Sequence, residues 1–78
     1  MANDANFVNE MLVTLENRVA SIANSIRQCN ALGLIPSKSS LIRLQWYNIL
    51  ICAYKNYRVF DDVRKNRINL LFRKVSEL

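Results

Sequence analysis

Arg43, Tyr47, Tyr54 and Arg58 follow one another at steps of four, seven and four within Leu41–Arg58, LIRLQWYNILICAYKNYR. On a helix those steps form one column in which cations flank rings. Guanidinium groups pair with phosphate oxygens, while tyrosine rings stack on unpaired bases or pack against sugars. Lys38 ahead of the column, and Arg64, Lys65 and Arg67 in the run RKNR after it, extend the electropositive track. The column therefore predicts contact with nucleic acid, or with an acidic protein surface, rather than bond-making chemistry.

Catalytic chemistry is poorly supplied. The chain has no histidine and one glycine, which removes the usual neutral-pH general base and any glycine-rich phosphate loop. Asp61–Asp62, the one adjacent carboxylate pair, reads as a helix start. Cys29 and Cys52 have no CxxC spacing and no histidine to activate them. No catalytic residue, metal site or cofactor is expected, and the chain is read as no enzyme. The thiols suit a reducing compartment, with a single Cys29–Cys52 bridge left open.

Charge is unevenly placed along the 78 residues, whose net charge is +5. Residues 1–23 carry Asp4, Glu10 and Glu16 against Arg18, whereas residues 24–78 carry ten lysines and arginines against Asp61, Asp62 and Glu77. Such asymmetry predicts an anionic partner. The polar start, MANDANFVNEM, is unlike a signal peptide. The near-apolar stretch Ile49–Tyr54 is far below the ~20 residues of a membrane span. A cytoplasmic protein, or a nuclear one in a eukaryotic host, is expected; it is not secreted and does not enter membranes.

The elements that must carry these residues are helical. Phe7, Met11, Leu15, Val19, Ile22, Ile26 and Cys29 recur at steps of three and four, predicting a helix over about 4–31 with Asp4 as its N-cap. Val8, Leu12 and Ala23 widen the stripe, and Val13 and Ala20 interrupt the polar side as a weak second seam. Gly33 is placed to end this helix in a left-handed conformation, with Leu34 next and Pro36 blocking continuation. Ser37, Ser39 or Ser40 caps a second helix of about 39–57. Its expected core face is Ile42, Trp46, Ile49, Ala53 and Tyr57. A third helix, about 61–77, starts at Asp61 or Asp62 and ends with Arg73 and Lys74 suiting its dipole.

These readings add up to one all-α domain over residues 1–78. It is a small three-helix bundle with two long antiparallel helices and a third across them. A chain this short buries only about 60% of its unfolded surface, so a homodimer is the expected supplement. In architecture alone, with no shared motif, the layout resembles small helical dimers with which some viruses mask double-stranded RNA. The expected function is a non-enzymatic nucleic-acid-binding regulator, RNA preferred because tyrosines accompany the arginines. The alternative is a small inhibitor or adaptor that grips a larger protein through the same Arg/Tyr face.

Overall fold

The computed structural model describes residues 3–78, with side chains from Ala5 onward. Among the described residues the fold is all-α. Helix α1 is Asn3–Ala31, α2 is Lys38–Lys55 and α3 is Asp62–Ser76, with a 3-10 turn at Tyr57–Val59 ahead of α3. Because α1 already includes Asn3, Asp4 falls in its first turn rather than at the cap; the Asp4 side chain lies outside the described residues.

Local chemistry sets the boundaries. Gly33 has φ +71°, the Leu34 N–H donates to Cys29 O at 2.7 Å, and the Gly33 N–H donates to Asn30 O at 3.1 Å. These are the two bonds of a Schellman ending. Ser37 caps α2 by accepting from the Ser40 N–H at 3.2 Å. Asp61 caps α3 by accepting from the Arg64 N–H at 2.8 Å. Helix α2 stops at Lys55, two residues short of the expectation, as Asn56 N–H and its side chain turn back onto the Ala53 and Cys52 carbonyls.

The helices run up, down and up. Phe7 meets Tyr54 and Tyr57, whereas Arg18 meets Tyr47, so α1 and α2 pair antiparallel. Asn69 meets Tyr54 and Leu78 meets Arg43, so α3 returns antiparallel to α2. Cys29, beside the hairpin tip, and Cys52, near the far end of α2, are both free thiols.

The core is Val8 and Leu15 of α1, Tyr47, Leu50 and Tyr54 of α2, Tyr57, and Val75 of α3. Met11, Leu12, Val19, Ile22, Ile51, Ile68, Leu71 and Phe72 pack round it. This corrects the face expected for α2. Tyr47 is 5% exposed and Tyr54 fully buried, while Ile42, Trp46 and Ile49 are 45%, 37% and 52% exposed. Both arcs are apolar enough to face inward. The tyrosine arc does so because its rings and the Tyr54 hydroxyl find partners on α1 and α3.

Candidate functional site

Three rings and an amide organise the end of the core where α2 leads into α3. Tyr54 and Tyr57 stack at 5.5 Å between centroids, 10° apart in plane, and Phe7 approaches both rings. The Tyr54 hydroxyl donates to Asn69 Oδ1 at 2.8 Å, and Asn69 Nδ2 donates to the Tyr57 hydroxyl oxygen at 3.1 Å. A buried hydroxyl without such a partner would cost about 1–3 kcal/mol. Burial, with the nearby Tyr57 hydroxyl adding to it, pushes the Tyr54 ionisation from 10.0 up to about 12. Tyr54 and Tyr47 are thus structural rings with no face left for a base to stack on.

The predicted cations divide into two sets. Arg43 is drawn inward: its Nη2 donates to Leu78 O at 3.0 Å, and its buried Nε finds no acceptor. Lys65 is half-buried with its Nζ 5.2 Å from the centre of the Tyr57 ring. Both link helices. Lys38, Arg58, Arg64 and Arg67 are exposed. The Arg64 guanidinium lies 5.6 Å from the centre of the Phe60 ring, which holds its stem down while its charge stays in water.

The pattern of burial on α3 shows what sequence reasoning missed. Ile68, Leu71, Phe72 and Val75 turn inward, leaving Val63, Arg67, Leu70, Arg73 and Lys74 exposed. At 100° per residue, Arg67 and Lys74 lie on one row two turns apart, a rise of roughly 10 Å, with Arg64 on the row beside it. From Val63 to Ser76 there is no acidic residue. Arg73 and Lys74 read from sequence as partners of the helix dipole. The missing signal was the acid-free run itself, which places Lys74 with Arg67 once the inward face of α3 is known; Arg73, about 120° round the helix from Arg67, lies instead along the groove of Phe7, Arg18 and Phe72.

Arg18 has a different role from these cations. Its guanidinium lies 5.1 Å from the centre of the Phe72 ring and 5.8 Å from that of Tyr47, and its Nη1 donates to Ser76 Oγ at 2.8 Å. It ties α1 to α2 and α3 across one side of the bundle. A cation so engaged is poorly placed to meet a ligand. Among the described residues, no helix is long and apolar enough to cross a membrane. Comparison with known protein families, with curated proteins and with solved structures finds no match to this chain.

Proposed function

We propose that this protein is a non-enzymatic regulator that binds nucleic acid through phosphate contacts made by α3 and the turn before it. The observation that supports this reading is the pair of exposed cations Arg67 and Lys74 on one row of α3, with Arg64 on the row beside it and no acidic residue from Val63 to Ser76. Such a surface tracks a phosphate backbone and releases its counterions. With Tyr47 and Tyr54 buried, the argument for unpaired bases loses its support. Contact with phosphates is indifferent to base identity, so duplexes and single strands of RNA or DNA are all substrates for the surface. The chain acts as a homodimer, which duplicates the surface, and works in a reducing cytoplasmic or nuclear compartment where Cys29 and Cys52 stay free.

Fluorescence anisotropy of labelled RNA and DNA, single- and double-stranded, titrated at several salt concentrations, tests the reading. Binding should weaken log-linearly with salt, and Arg67→Gln with Lys74→Gln should flatten the slope by roughly two contacts' worth, about 0.7–0.9 each. No binding at low salt, or binding indifferent to salt, would rule out phosphate contact and leave a protein partner as the explanation of the cations.

A further inference from the structure

Helices α1 and α3 both pack on α2 and hardly touch one another. Two helices seated side by side on a third leave a cleft between them unless large side chains fill it. Here the cleft stays open, with a volume of about 550 Å³. That is within the roughly 300–1,000 Å³ of small-ligand sites, which are mostly apolar with a few convergent polar groups.

Its two ends differ in chemistry. At one end Phe7 and Met11 of α1 face Phe72 of α3 across the buried Tyr54. The Tyr54 ring stands 6.2 Å from that of Phe7 and 6.4 Å from that of Phe72, and Phe7 is left 36% exposed. At the other end Arg18 of α1 and Arg73 of α3 bring two guanidiniums beside the Ser76 hydroxyl. Among the described residues, no acid lines any part of the cleft. Glu10, next to Met11 in sequence, lines a different side of α1 with Asn9, Val13 and Thr14.

The two guanidiniums are not equivalent. Arg18 is held over the Phe72 ring and donates to Ser76 Oγ, whose own proton goes to Phe72 O at 2.9 Å. It is a fixed positive wall. Arg73 is exposed and has no hydrogen bond, ion pair or ring contact among the described residues. Its planar fork of donors is uncommitted, and that fork matches a carboxylate.

We infer that this cleft binds a small amphipathic carboxylate, with its apolar body along Phe7, Met11 and Phe72 and its head on Arg73. From Phe7 to Arg18 the rise along α1 is roughly 16 Å, which suits a single alkyl chain of medium length. The cations select an anion, and the rings select one with an apolar body. A phosphate backbone, polar and charged along its length, would leave the rings uncovered. Arg73 lies about 120° round α3 from Arg67, so the cleft and the proposed phosphate row face different ways and neither depends on the other.

Amide chemical shifts of the full chain, titrated with decanoate kept below its micelle-forming concentration, test the inference. Saturable shifts should appear at Met11, Phe72 and Arg73. Decyltrimethylammonium, with the same tail and a cationic head, should not saturate them, and neither should acetate, the head without the tail. Arg73→Gln should weaken decanoate roughly tenfold by removing the charged pair. The Arg73 side chain is exposed, so this variant should keep its helices. Arg67→Gln with Lys74→Gln, which strips the phosphate row, should bind decanoate like the wild type. A cleft that decanoate does not saturate overturns the inference. So does equal binding of the cationic analogue, an Arg73→Gln variant that binds like the wild type, or shifts centred on Ile42 and Ile49. Cleft shifts that follow protein concentration alone would give the cleft to a second copy. An acidic peptide that saturates the same amides where decanoate fails would give it to a protein partner. Either result overturns the inference too.

Discussion

Tyr54 is the residue on which the interior turns, because its ring is fully buried and its hydroxyl joins α2 to α3 through Asn69. Removing the hydroxyl alone isolates that link. Tyr54→Phe should destabilise the chain by about 1–2 kcal/mol in denaturant titration, with the core volume kept. The same residue gives an alkaline signature. Its ionisation is raised from 10.0 in the unfolded chain to about 12 in the folded one, so the folded state holds the proton more tightly. No stability is lost below pH 10 on this account. Between about pH 10 and pH 12 stability falls, by on the order of 2 kcal/mol in all. Thermal melts across that window should show the loss, and tyrosinate absorbance should show one late-titrating ring that disappears in Tyr54→Phe.

At the scale of the element, short sequence signals do what propensity alone cannot. Gly33 has nothing within 4 Å of where a Cβ would stand, yet its φ is +71°. Gly33→Ala should therefore cost about 1 kcal/mol through backbone strain and not through a clash. Asp61→Ala should cost a similar amount by leaving the Arg64 N–H without its cap, and it should fray the start of α3, where the proposed phosphate surface begins. Urea titrations of both variants, with amide exchange at Arg64 and Lys65, check the two effects. These boundaries were legible in the sequence because each depends on a few adjacent residues. The end of α2 at Lys55 was less so, since the continuing apolar pattern through Tyr57 hides the turn that Asn56 makes.

Across the whole molecule, charge and packing pull in different directions. A net charge of +5 on 78 residues, much of it along α3, which carries no acid after Asp62, makes the folded state repel itself. Screening should relieve this: the thermal midpoint should rise by a few degrees between low and physiological sodium chloride, as followed by circular dichroism. A midpoint that falls with salt would mean that attractive pairs, not repulsion, dominate the surface. The same cations that strain the free protein are the ones proposed to meet phosphate.

The sequence by itself determined the all-α class, the Schellman ending at Gly33, a serine cap among Ser37, Ser39 and Ser40, an aspartate cap at Asp61 or Asp62, and the concentration of positive charge after residue 23. All of these depend on neighbours in the chain or on composition. Only the tertiary structure decided which arc of α2 faces inward. Periodicity could not choose, because Ile42, Trp46 and Ile49 form as good an apolar stripe as Tyr47, Leu50 and Tyr54. The choice depends on Phe7, Asn69 and Phe72, residues on two other helices that pack the rings and satisfy a buried hydroxyl. Once the tyrosines turn inward, Arg43 follows them towards Leu78, the proposed phosphate contacts pass to the outer side of α3, and Trp46 is left on the surface.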